Sequence, residues 1–391
     1  MNDASRDPGV DAQQEEHILN TIERWVAREL KPIVREYDHA DRYPTHVVEQ
    51  MKELGLFGAT ISPEYGGLGL SAVTYAKIVI SISSVWMSIT GIINSHLMLA
   101  LAIEKFGTSQ QKERWLPKLA TGEIRGGLAL TEADAGTDLQ GIRTSARRDG
   151  DHYVINGSKM WITNGAEGSC FAMLVKTDPD AQPRYMGMSL FITPKMKGFT
   201  VGRKLQKLGY KSIDTVEMMF DNYRVPADHL IGGVEGRGFI QTTGGLELGR
   251  INVAARGVGI AEGALKLAGD YAQTRKTFGK PICEHQAIQL KLGEMATRAR
   301  AARLLTLDAA ATFDRGERCD MEAGMAKYFS SEAALENAIE GMRIHGAYGY
   351  SKEYDIERLY RDAPLTCIGE GTNEMQRIII AKQLIKRNPA A

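Results

Sequence analysis

Three short stretches carry residue types at spacings that can do chemistry. In residues 368–374, Ile-Gly-Glu-Gly-Thr-Asn-Glu, Glu370 stands between Gly369 and Gly371. The flanking glycines put no side chains beside the carboxylate, so a ligand can approach it closely. Thr372 and the helix predicted after it supply N–H donors for an anion or a carbonyl. That setting suits a general base; for an isolated glutamate the better reading is a charge that favours a helix N-terminus. Residues 128–138, Leu-Ala-Leu-Thr-Glu-Ala-Asp-Ala-Gly-Thr-Asp, pass from a strand into small and polar residues. Their N–H groups can face a phosphate or a ring edge, or the stretch is a solvated loop. Residues 159–165, Lys-Met-Trp-Ile-Thr-Asn-Gly, put Trp161 and Thr163 on one face of a strand by period-two alternation. The pair can offer an indole and a hydroxyl to a planar group, or the Trp can be core.

Other chemistries find no support in the spacing. The chain has 41 glycines, but the clusters at 232–238 and 257–259 lack the dinucleotide fingerprint and sit in no strand-helix-strand unit. No glycine-lysine pair is followed by serine or threonine in the phosphate-loop frame. Cys170, Cys283, Cys319 and Cys367 lie far apart without zinc-ligand spacing; they read as reduced thiols of a cytoplasmic protein, with no metal. Lysine plus arginine equal aspartate plus glutamate at 48 each, which gives no field to draw nucleic acid or an anionic membrane.

The elements that must position these stretches fall into three blocks. At 391 residues the chain exceeds what one core usually serves. With Asp3, Asp7, Asp11, Glu15 and Glu16 against Arg6, neither a secretory signal nor a basic transit peptide is expected, and the tail is expected to fray. Residues 1–124 have apolar residues at helical spacing, as in Ile18, Ile22, Trp25 and Leu30, with breaks at Pro32, Pro44, 63–69 and 107–109, where Thr108 or Ser109 can cap the next helix. The apolar run at 89–103 is interrupted by Asn94, Ser95 and His96, so no transmembrane helix is expected. Residues 125–236 turn to short β-rich runs at 153–155, 170–175, 188–192 and 216–220, with turn pairs at Asp149-Gly150 and Asn156-Gly157, predicting an antiparallel barrel or sandwich. In residues 237–391 the helical period returns in alanine-rich stretches, predicting a close-packed four-helix bundle with Leu265, Leu267, Leu304, Leu305 and Leu307 in the seam. The fold class is α+β, multidomain.

Taken in order, these stretches resemble the acyl-CoA dehydrogenase family. The likeness runs from the loop Pro63-Glu64-Tyr65-Gly66-Gly67 to Lys382 and includes residues 271–280, His285-Gln286 and residues 344–350. The resemblance implies a helical, a β and a helical domain, a homotetramer, and FAD at a subunit interface. It implies α,β-dehydrogenation of an acyl-CoA thioester to the trans-2-enoyl-CoA, with Glu370 as the base and the flavin N5 taking a hydride. It places Leu128, Leu130, Thr131, Gly136, Thr137, Trp161, Ile162 and Thr163 at the flavin. Arg275, Thr277, Phe278 and Gln286, with Arg343, Ile344, Gly346 and Ala347, would reach a neighbour's FAD; Thr372, Asn373 and Glu374 would also contact cofactor. Thr137, Arg250 and Gly371 would contact the CoA substrate.

Some members carry the base instead on a bundle helix, in a stretch corresponding to residues 245–250; here Gly249 occupies that place, which leaves Glu370, and Glu247 reads as structural or solvent-facing. Arg343 and Ala347 stand where many members have glutamine and glycine, and Ile213 where serine is common. His96, Trp86 and Met98 either line the acyl pocket or belong to the core. The implied electron acceptor is an electron-transferring flavoprotein; an acyl-CoA oxidase, or a non-catalytic relative associated with nucleic acid, are the alternatives.

Overall fold

The computed structural model describes residues 12–390, so the expectation about the amino-terminal tail lies outside the described residues. Five helices come first: α1 (Ala12–Trp25), α2 (Val34–Ala40), α3 (Thr45–Glu53), α4 (Ala72–Phe106) and α5 (Ser109–Ala120). Thr108 caps α5 in a reciprocal capping box with Gln111. The run at 89–103 does not break at its polar residues: it lies within the 35-residue α4, which kinks at Trp86 and is long and apolar enough, by length and composition, to cross a membrane. Of its most apolar stretch 78% is buried inside the protein, which makes α4 the core helix around which the domains pack.

Seven strands follow: β1 (Gly126–Ala129), β2 (Ser145–Asp149), β3 (His152–Thr163), β4 (Cys170–Lys176), β5 (Met188–Pro194), β6 (Phe199–Lys204) and β7 (Thr215–Pro226). They form one curled sheet in the order β1-β4-β2-β3-β7-β6, with β5 paired to β4. The expected antiparallel pairing holds for most of it, but β1 runs parallel to β4, as does the single β2–β4 pair. β4 is buried on both faces: Phe171, Met173 and Val175 enter the sheet's own core, whereas Cys170, Ala172 and Leu174 join the helical core, which explains its unbroken apolar run. Asp149-Gly150 makes the β2–β3 turn, but Asn156-Gly157 is no turn. It is a bulge inside β3, where Gly157 has φ 140° and a Cβ would stand 2.6 Å from the Thr144 hydroxyl.

Short α6 (Gly238–Thr243) leads into α7 (Leu246–Thr274), the hairpin β8 (Lys276–Thr277) and β9 (Lys280–Pro281), α8 (Gln286–Asp314), α9 (Asp320–His345), α10 (Ile356–Ile368) and α11 (Asn373–Arg387). α7, α8 and α9 pack side by side, α10 and α11 close the bundle against α9, and α4 lies along α7. The seam is made by small residues rather than the leucines expected: a Cβ on Gly257 of α7 would come within 2.6 Å of the Ser330 carbonyl of α9. Leu304 faces outward, and Leu265, Leu267, Leu305 and Leu307 are only partly buried.

Candidate functional site

The Glu370 turn is fixed at both ends. α10 stops at Ile368, Glu370 takes a left-handed backbone with φ 54°, Gly371 follows at φ 90°, and the Thr372 hydroxyl accepts from the Met375 N–H at 3.4 Å to start α11. A left-handed glutamate is strained by roughly 1–3 kcal/mol and persists only where its surroundings hold it. The buried Lys327 ammonium supplies that hold, donating to the Cys367 carbonyl (3.1 Å) before the turn and to Asn373 Oδ1 (2.9 Å) after it.

The carboxylate so placed enters the seam between α4 and α7. Its Oε1 accepts from Asn94 Nδ2 of α4 at 2.5 Å. Its Oε2 lies 2.5 Å from where a Cβ on Gly249 of α7 would be, with Met98 Sδ 3.4 Å from the same point. Burial raises the carboxyl above the ordinary glutamate range, against opposing pulls from Arg256, the Asn94 hydrogen bond, Lys327 and Arg250.

The loop after β1 and the end of β3 come together beside this seam. Met160 N–H donates to the Thr131 carbonyl (2.9 Å), the buried Lys159 to the Leu130 carbonyl (2.9 Å) and Glu132 (2.8 Å). Asn164, left-handed itself, ties the strand end to Ile92 of α4 (2.9 Å) and Gly126 of β1 (2.8 Å). Trp161 sits at φ 63° within a register shift and is 55% exposed, so it is not core. Ile162 is buried, Thr163 half-buried, and Gly136 and Thr137 are exposed. Leu128 shares a small cavity with Met98, Leu101, Phe106 and Thr242. Tyr210, held left-handed by its N–H donating to the buried Asp362 at 2.6 Å, comes close to Thr163 and Arg256.

The other predicted contacts form a second cluster. Arg275, Phe278 and Gln286 are exposed around the β8–β9 hairpin, as are Arg343, Gly346 and Ala347 at the end of α9, and Thr277 bonds to His285 at 3.1 Å. Tyr271 stacked on His345 at 4.3 Å joins the two segments. Arg343 is engaged by Glu340. Two expected contact residues are structural in their side chains: Ile344 is buried, and Asn373 is spent on Lys327, Ser331 and Glu332. Glu374 is exposed and paired with Arg377. Of the three pocket candidates, Trp86 and His96 are core, His96 bonding to the Leu119 carbonyl (3.0 Å), and only Met98 faces the carboxylate. Ile213 is core; Arg250 and Glu247 are half-buried at the start of α7.

Sequence reasoning missed Asn94, Tyr210 and Arg256. A signal existed for each: a polar residue inside the most apolar helix, an aromatic after a glycine, and an arginine in an alanine-rich run. The group Asp38, His39 and Glu357 has atoms within 4.8 Å of one another, as metal ligands would, but Arg361 already holds both carboxylates.

Comparison with known proteins finds relatives along nearly the whole chain. Models of the acyl-CoA dehydrogenase N-terminal, middle and C-terminal domains match residues 12–123, 127–223 and 236–385. The chain is 42% identical over 375 residues to an acyl-CoA dehydrogenase of Bacillus subtilis (strain 168), covering 95% of this chain and 98% of that one. It is 39% identical to the mitochondrial short-chain specific acyl-CoA dehydrogenase of Bos taurus, covering 94% and 89%. The structure of butyryl-CoA dehydrogenase from Megasphaera elsdenii superposes with a TM-score of 0.92 at 35% identity, covering 98% and 100%. The chain therefore belongs to the acyl-CoA dehydrogenase family of oxidoreductases.

Proposed function

We propose that the protein removes the α-proton of an acyl-CoA thioester with Glu370 and yields the trans-2-enoyl-CoA. One observation carries this reading: the Glu370 carboxylate reaches the α4–α7 seam across a glycine that leaves it room. Burial raises the Glu370 pKa from the ordinary glutamate value, the direction that strengthens a general base. The Asn94 bond orients the carboxylate, and the backbone N–H of Glu370, beyond the end of α10, is the donor we assign to the thioester carbonyl as negative charge grows on it.

FAD is the cofactor we assign. The residues present fit it: a strained and exposed indole is a conformation maintained for a ligand rather than for packing. Leu128, Leu130, Thr131, Gly136, Thr137, Trp161, Ile162 and Thr163 would hold the ring, with Thr372 and the backbone of 373–374 near it. When bound, the flavin supplies the two-electron acceptor for the hydride leaving the β-carbon. Arg275, Thr277, Phe278 (97% exposed) and Gln286, with Arg343, Gly346, Ala347 and the backbone of Ile344, would complete the FAD site of a neighbouring copy, which favours a homotetramer. Thr137, Arg250 and Gly371 are assigned to the CoA ester. An electron-transferring flavoprotein is the proposed acceptor.

The test is anaerobic bleaching of the FAD-loaded protein by acyl-CoA thioesters. Glu370→Gln should keep flavin and slow bleaching by roughly two to four orders of magnitude. A variant that bleaches as fast as the parent, or a parent that takes up no FAD, refutes the reading.

A further inference from the structure

The face of α7 turned toward α4 carries three residues at helical spacing, Gly249, Asn252 and Arg256, and each meets something different. Gly249 receives the Glu370 carboxylate. Asn252 Nδ2 donates to the hydroxyl of Tyr75 of α4 at 2.8 Å. Arg256, only 6% exposed, sits with its guanidinium carbon 5.9 Å from the centroid of the Tyr210 ring.

Arg256 differs from Arg358, the other buried arginine among the described residues, which is paired with Asp355. Among the described residues no carboxylate forms an ion pair with Arg256, and its Nε has no hydrogen-bond partner. Asn252 Oδ1 on the same helix face is also unpartnered. A guanidinium withdrawn from water without an ion-paired acid is costly, and retaining one next to the reacting centre points to an anion that arrives with the substrate. Glu370 feels the Arg256 charge but forms no ion pair with it, and one of its oxygens accepts from Asn94.

We propose that Arg256, with the Tyr210 hydroxyl, forms a subsite for a carboxylate at the far end of a short acyl chain. The assignment rests on the reading of Glu370 as the α-proton base. Arg256 lies about two turns, roughly 10 Å, beyond Gly249 along α7, and its side chain leans back toward the helix N-terminus. Once the side chain leans back, the separation is shorter than that rise and suits a short acyl chain with the thioester at one end and the carboxylate at the other. The bidentate geometry of an arginine matches a carboxylate and not a methyl terminus.

The experiment compares straight-chain acyl-CoAs with ω-carboxyacyl-CoAs of equal length in the FAD-loaded protein. The expected result is a kcat/KM at least tenfold higher for the ω-carboxyacyl substrates, with the ratio falling to one or below in Arg256→Gln. Titration of the Glu370→Gln protein with the same ω-carboxyacyl-CoA should show binding that weakens about a hundredfold when Arg256→Gln is added. Tyr210→Phe should lower the ratio in the same direction by a smaller factor, and serves if the arginine variant does not fold. Equal losses for both substrate classes, or a parent without preference for the carboxylate, overturn the subsite while leaving the base assignment standing. A parent that no thioester bleaches overturns both.

Discussion

The space at Gly249 gives the sharpest test of where the base works. In Gly249→Ala the new methyl carbon would stand 2.5 Å from Glu370 Oε2, against an ordinary contact of 3.4 Å, so the oxygen must withdraw by about 0.9 Å (3.4 − 2.5). The moving atom is the unbonded oxygen of a carboxylate that Asn94 holds by the other oxygen, and Met98 at 3.4 Å is already at normal contact, so the side chain and not the helix should shift. Replacing glycine by alanine inside α7 should add up to about 1 kcal/mol of helix propensity. The fold is then no less stable, yet the base is displaced by about 1 Å, which costs on the order of 100-fold in rate where reacting atoms must align. Stopped-flow bleaching gives the rate, and a thermal melt with the flavin spectrum reports stability and cofactor content. A Gly249→Ala protein that retains FAD and its melting temperature and reacts within threefold of the parent would show that the carboxylate does not act from this position.

Two further outcomes follow from the cited groups. The Asn94 bond lowers the Glu370 pKa against burial, so Asn94→Leu should move the rising limb of the kcat/KM–pH profile to higher pH; an unmoved limb refutes this. Asp362 is pushed up to about 7 by burial, then by Asp38; its folded value lies above its unfolded one, so the stability it contributes is full below about pH 4 and is lost as pH rises through about 7. Melts of Asp362→Asn against the parent should show that slope removed, and parallel curves across that range would count against it.

The elements and the sites were unequally legible. Glu370 could be found because two glycines mark it in the linear chain, and the three blocks because the period of apolar residues changes from 3.6 to 2 and back. Asn156-Gly157 has the composition of a turn, and only the packing of Thr144 against Gly157 reveals a bulge. Asn94 read as an interruption of an apolar run because its partner lies far off in the chain. Ile344 and Asn373 follow from motif position as contacts, whereas their side chains are committed to core and to Lys327, a distinction of burial that motif spacing does not carry.

Gly249 read in sequence as a base that is missing; in the fold it is the room that a base elsewhere requires. The same holds for the strain at Glu370. A left-handed glutamate with a buried carboxylate would relax if its turn were free, swinging the side chain toward solvent. It is not free, because Lys327 of α9 ties the end of α10 to the start of α11 across the turn, and Asn94 of α4 takes the carboxylate at the other end. α4 belongs to the first helical block and α7 and α9 to the last, so the base is oriented only while those blocks are packed. Placing it at their junction makes its geometry a property of the domain packing, whose small residues leave little freedom to slide.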